Sequence, residues 1–140
     1  MRTCLYAAVM SVALGASAHA EPLDFSARPD AAAGKLGEKA YGSEIADARA
    51  AGSDVAIWAG KVDLDGDGKP EIVGQLDSAY ICGGQGPCFF VVSSEGKMLF
   101  SVPGVDSAEA LDSRTRGWRD LKFNGKAVWK HNGKEYDISK

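Results

Sequence analysis

Histidine is nearly absent from this chain, with only His19 and His131 among 140 residues. Cysteine is scarce too, at three. One of these, Cys4, lies in an N-terminal segment expected to be removed. Zinc wants thiolate or imidazole ligands, and a lone His131 beside two cysteines that are expected to pair with each other does not supply them. No pattern ties His131 to a serine or cysteine nucleophile, so on a strand after Trp129 it reads as a structural or surface residue. A C-x-x-C pair is missing, which removes the usual dithiol redox centre. The glycine-rich segment 82–88 lacks the Lys-Ser/Thr of a phosphate loop. Basic surplus is also missing: Lys and Arg number 16 against 19 Asp and Glu, unlike the basic face of a nucleic-acid binder. The chain shows neither low-complexity segments nor a repeat of about 20–50 residues.

The first twenty residues do carry a pattern. Arg2 gives a positive start, residues 5–16 are free of charge, and Ala18-His19-Ala20 sets small residues around a bulky one. This is the layout of a secretory signal peptide cut before Glu21. The alternative is a membrane anchor, but the apolar run has only 12 residues where about 20 are needed to cross a bilayer. Cys4 precedes the run, so it is misplaced for a lipoprotein cysteine. The expected product, residues 21–140, has 15 basic and 19 acidic side chains, a formal net charge of −4. It is one domain's length, with a lead-in and helical segment at 21–53 and a β-rich body at 54–140. It is expected in the periplasm or secreted, free of the membrane once the signal is cut.

In an oxidising compartment two remaining cysteines invite one disulfide. Cys82 and Cys88 are separated by Gly83, Gly84, Gln85, Gly86 and Pro87, and glycine lets so short a loop turn back. Upstream, Asp30 is placed to cap a helix over 31–40, weakened by Gly34 and Gly37. Ser43 is placed to cap another over 44–51, stopped by Gly52. Residues 55–62, 71–76, 88–92 and 98–102 read as strands. The third is apolar throughout and therefore central. Residues 103–117 are polar and unpatterned, a long loop or a short helix. Two Asn-Gly pairs, 124–125 and 132–133, separate short β-rich runs, which predicts a C-terminal meander through type I′ turns. The expected fold is α+β: short N-terminal helices on a mainly antiparallel sheet of six or seven strands.

The most informative stretch is residues 62–73. Asp63, Asp65 and Asp67 stand at alternate positions and Glu71 follows. Four carboxylates so close together repel unless something neutralises them. Calcium takes oxygen ligands in flexible geometry, and Gly66 and Gly68 permit a sharp turn. Magnesium fits less well, because it retains water and favours phosphate. The plain alternative is an acidic, solvated turn, since Asp and Gly form turns in any protein. An EF-hand proper is excluded: its twelfth loop position needs Glu, this chain has Gly74 there, and the flanks read as strands.

The loop resembles the D-x-[DN]-x-D-G-x-x-[DE] calcium loops of FG-GAP and VCBS-type β proteins, which a strand enters and a strand leaves. That resemblance implies one calcium ion held by the side chains of Asp63, Asp65, Asp67 and Glu71 with the backbone carbonyl of Lys69. It covers about a dozen residues, and the unit occurs once here, so no propeller is implied. Together with the Cys loop and the W-x-x-N-G-K-x-Y run at 129–136, the chain also resembles small exported bacterial proteins, a resemblance that implies no activity.

No catalytic constellation emerges, and the chain reads as a non-enzyme. Arg114, Arg116 and Arg119 around Trp118 form either a solvated charge cluster or a surface for an acidic partner or glycan. The leading functional expectation is an exported calcium-binding module whose ion is mainly structural and whose ordered loop contacts a protein or glycan partner. The alternative is a periplasmic inhibitor or immunity protein that neutralises a hydrolase or toxin. A calcium-using hydrolase stands behind both.

Overall fold

The computed structural model describes residues 20–138. The expected signal segment, apart from Ala20, lies outside the described residues. In chain order the elements are β1 (Glu21–Pro22), α1 (Ala31–Tyr41), α2 (Ser43–Ala50), β2 (Ala56–Val62), β3 (Glu71–Asp77), α3 (Ala79–Cys82), a 3-10 turn (Gly83–Gln85), β4 (Cys88–Val92), β5 (Met98–Val102), β6 (Ala108–Thr115), β7 (Trp118–Phe123), β8 (Ala127–His131) and β9 (Tyr136–Ile138).

The expectation of one sheet under short helices is wrong. The described strands form two antiparallel sheets, a four-stranded one ordered β2-β3-β4-β5 and a five-stranded one ordered β1-β6-β7-β8-β9. The physical reason is written in β4. Successive strand residues point to opposite faces, and all five residues of β4 are buried, so both faces need a cover. Helices cover one face: Cys88, Phe90 and Val92 pack with Ala33, Tyr41, Ile45, Ile72 and Leu76. The second sheet covers the other: Phe89 and Val91 pack with Leu23, Val73, Phe100, Leu121, Phe123 and Tyr136. A single sheet under helices would leave Phe89 and Val91 in water.

The segment 103–117 is the second correction. It contains β6, paired to β7 from Ala108↔Phe123 to Thr115↔Trp118 with a bulge between Ala110 and Arg114. Its alternation is weak because only Ala108 and Ala110 are buried, while residues 112–114 are exposed. The turn that follows is Arg116-Gly117, with φ of 53° and 84°. A two-residue hairpin turn of the I′ type needs positive φ at both positions, and Arg in the first place gives little sequence warning.

Local chemistry fixes the helices. The Asp30 carboxylate accepts from Ala33 N at 3.0 Å, capping α1. At Gly42 (φ 58°) the chain leaves α1, its N–H donating to the Glu38 and Lys39 carbonyls. Ser43 is the first residue of α2 rather than its cap, and Gly42 takes that place without a side-chain bond. Gly37 is a packing residue: a Cβ there would meet Phe90 and Ile57 at 3.0 Å, so glycine lets α1 settle on the sheet.

The disulfide Cys82–Cys88 is formed, with both residues buried. It ties the end of α3 to the start of β4. In the chain-entropy view, closing so short a loop contributes about 2–3 kcal/mol. Replacing both cysteines by serine is expected to lower unfolding stability by about that amount in a urea titration, with the midpoint moving to lower urea.

Candidate metal centre

The loop 63–70 joins the last rung of β2 and β3, where Val62 pairs with Glu71. It folds on its own carboxylates. The Asp63 oxygens accept from Gly66 N (2.9 Å) and Gly68 N (3.0 Å). Asp65 accepts from Asp67 N at 3.1 Å, and Asp67 from Lys69 N at 2.7 Å. Gly66 and Gly68 sit at φ of 76° and 81°, a region that glycine enters without steric cost.

One residue of the loop points the other way. Leu64 is fully buried in the core between the sheets. Its N–H donates to Glu71 Oε2 at 2.7 Å. Its carbonyl accepts from Arg119 N of β7 at 2.8 Å and from Arg114 Nη1 at 3.2 Å. The acidic loop is thereby pinned to the second sheet, which the acid spacing alone does not reveal. A leucine among aspartates was the available signal.

The result is convergence of three carboxylates. Asp63, Asp65 and Glu71 each place an oxygen within 4.8 Å of the others. Glu71 is buried, at 4% exposure. Asp67 lies outside this group, its carboxylate turned to Lys69 N. Among the described residues no ion pair engages Asp63, Asp65, Asp67 or Glu71. Crowding shows in the protonation equilibria. Burial, then the neighbouring Asp65 and Asp67 charges, pushes the Glu71 carboxyl up. Burial, with the Asp67 charge beside it, raises Asp65. For Asp63 burial also works upward, but the N–H groups of Gly68 and Gly66 and the Arg114 charge more than offset it and hold the group low. The donors are hard oxygens on a loop with no imidazole or thiolate, the chemistry that suits a group 2 cation. The triad can hold a metal ion.

Two of the three arginines around Trp118, Arg114 and Arg119, are structural anchors, while Arg116 is exposed. Arg119 pairs with Glu21 at 2.6 Å and donates to the Leu111 and Ala110 carbonyls. Arg114 donates to the carbonyls of Leu64 and Gly117. His131 is buried, its ring stacked on Trp118 at 4.6 Å between centroids and edge-on to Tyr136 at 5.3 Å. Its Nδ1 accepts from Gly133 N.

Comparison of the chain with protein-family models, with curated proteins and with solved structures finds no match. Among the described residues no helix is long and apolar enough to cross a membrane.

Proposed function

We propose that this chain is an exported calcium-binding module whose single ion is mainly structural. The observation that supports it is the convergence of Asp63, Asp65 and Glu71 on a loop whose one apolar residue, Leu64, is anchored in the core between the sheets. A divalent cation there compensates the burial and the mutual repulsion that raise Asp65 and Glu71, and Asp67 and the Lys69 carbonyl are the further oxygens the loop has to offer. Calcium is the favoured ion because it accepts many oxygens without strict geometry, whereas magnesium holds its water. The ion fixes the β2–β3 loop against β7. The ordered loop then presents one defined surface to a protein or glycan partner outside the cytoplasm, where a disulfide such as Cys82–Cys88 persists.

Calorimetric titration of the purified protein tests the ion. One site is expected, with a dissociation constant of about 10⁻⁴–10⁻³ M, the range of extracellular modules. The double variant Asp65→Ala, Asp67→Ala should show no binding heat. Absence of heat from the unmodified protein at millimolar calcium would sink the proposal.

A further inference from the structure

The two Asn-Gly pairs close different hairpins in different ways. At β7–β8, Asn124 and Gly125 have φ of 53° and 65°, and Lys126 N donates to the Phe123 carbonyl. The Asn124 side chain is held on a separate loop. Its Oδ1 accepts from Asp106 N (2.8 Å) and Ser107 N (3.2 Å), and its Nδ2 donates to the Gly104 carbonyl at 2.9 Å. At β8–β9, Asn132 and Gly133 sit in an exposed loop in which Asn132 N donates to the Glu135 carbonyl. Here the Asn132 Oδ1 accepts from Lys134 N (2.9 Å) and Glu135 N (3.0 Å) of its own turn. Its Nδ2 has no bonded partner among the described residues. The N–H of Gly133 donates to His131 Nδ1 at 3.1 Å.

We infer that Asn132 is a site of spontaneous deamidation assisted by His131, and that Asn124 is held inert. The chemistry needs the backbone nitrogen of the following residue to attack the asparagine Cγ. Glycine leaves that nitrogen uncovered. At Asn132 the attacking N–H already points at a ring nitrogen that accepts it, and an accepting imidazole nitrogen is unprotonated. His131 Nδ1 takes the Gly133 proton as the Gly133 N–Asn132 Cγ bond forms. The developing oxyanion on Oδ1 stays on the Lys134 and Glu135 N–H groups. The proton passes to Nδ2, the Cγ–Nδ2 bond breaks, and ammonia leaves behind a cyclic imide. Water then opens the imide at either carbonyl, giving aspartate or isoaspartate. Arg116 adds a fixed cation nearby: a Cβ built on Gly133 would lie 3.6 Å from its Nη1. Burial, with that same guanidinium, holds His131 below the usual imidazole range, so it is a neutral acceptor at neutral pH. Asn124 shares the following glycine and an Oδ1 held by two backbone N–H groups, but it differs in its base and its leaving group. Three bonds tie its amide to the loop 104–107, the leaving nitrogen is engaged, and among the described residues no side-chain acceptor is bonded to Gly125 N.

The experiment is incubation of the purified protein at neutral pH and 37 °C, with peptide mass mapping of both sites over time. Asn132 is expected to convert about tenfold faster than Asn124, less than the ~10²–10⁴-fold that a positioned base contributes in an evolved active site. In concentrated urea the two rates should converge. His131→Gln and His131→Phe are expected to slow Asn132 and leave Asn124 unchanged. If His131 merely holds the turn, both variants would loosen it and Asn132 would react faster, which overturns the inference. Equal native rates at the two asparagines overturn it as well, and that comparison stands even if a His131 variant fails to fold.

Discussion

Saturating calcium is expected to raise the melting temperature of this protein by roughly 5–10 °C, and Glu71→Gln is expected to erase the shift without lowering the ion-free melting temperature. The first figure follows from mass action. An ion that binds only the folded chain stabilises it by about 1.4 kcal/mol at ten times the dissociation constant and about 2.7 kcal/mol at a hundred times. For a domain of this size each kcal/mol moves the midpoint by about 4 °C. The second part separates the charge of Glu71 from its structural bond. A glutamine oxygen can still accept from Leu64 N, so the bond that closes the loop survives. What disappears is a buried negative charge facing Asp65 and Asp67. The ion-free variant should therefore melt at or above the ion-free parent, although it no longer responds to calcium. Acid has opposite effects on the two forms. In the ion-free protein the raised Asp65 and Glu71 bind protons more tightly folded than unfolded, so their contribution improves as pH falls from above their folded values toward the ordinary carboxylate range. With calcium present, protons compete with the ion, and the calcium-induced shift shrinks over the same interval. Scanning calorimetry with and without calcium across that interval reads both. A calcium shift that persisted in Glu71→Gln would remove Glu71 from the site.

Phe90→Ala and Phe89→Ala are each expected to cost about 3–5 kcal/mol, the usual toll of emptying a buried aromatic site, but with different consequences for the ion. The two rings are neighbours in sequence on opposite faces of β4. Phe90 stands edge-on to Tyr41 of α1, with ring centroids 5.6 Å apart, so its loss should release the helices. Phe89 packs on Phe123 of β7 at 4.9 Å, in the same core that holds Leu64. Its loss should loosen the contact between the sheets on which the metal loop is pinned. Calcium affinity is therefore expected to fall several-fold in Phe89→Ala and to stay near the parent value in Phe90→Ala. Urea denaturation gives the two stabilities, and calcium titration of the folded variants gives the contrast. Equal loss of affinity in both would mean that the site depends on overall stability rather than on the layer between the sheets.

Much of this was legible in the residues. Continuous apolarity placed β4 in the interior, Asp30 announced the start of α1, and Asn124-Gly125 announced its turn through the need for two positive φ values. The cysteine pair and the acidic loop were visible because few other chemistries use those residues at that spacing. Three strands of the second sheet, β7, β8 and β9, were legible as the C-terminal meander, but its separation from the first sheet was not, because β6 is half-exposed and its turn carries Arg116 where asparagine or aspartate is usual. Asn132-Gly133 looked like a second type I′ turn, but only Gly133 in that loop has positive φ, and Asn132 caps the loop with its side chain instead. Arg114 and Arg119 read as surface charge because sequence does not show which backbone carbonyls a guanidinium will find. Of the four acids in the loop, which three converge depended on where Leu64 was anchored, a tertiary fact.

The placement of β1 bears on how the chain comes together after it is made. Glu21 pairs with Ala110, and Leu23 N bonds to the Ala108 carbonyl at 2.9 Å. The ion pair from Glu21 reaches Arg119. The four-stranded sheet, in contrast, is a local meander drawn from residues 56–102. Closing contacts between residues far apart in sequence costs loop entropy before any reward arrives, and such folds assemble slowly. The five-stranded sheet therefore waits for nearly the whole chain, and its first strand has to remain unattached while the rest emerges. On the proposed reading of an exported chain, which travels in extended form before it folds, the topology serves that journey: β1 cannot pair until β6, at Ala108–Thr115, has arrived.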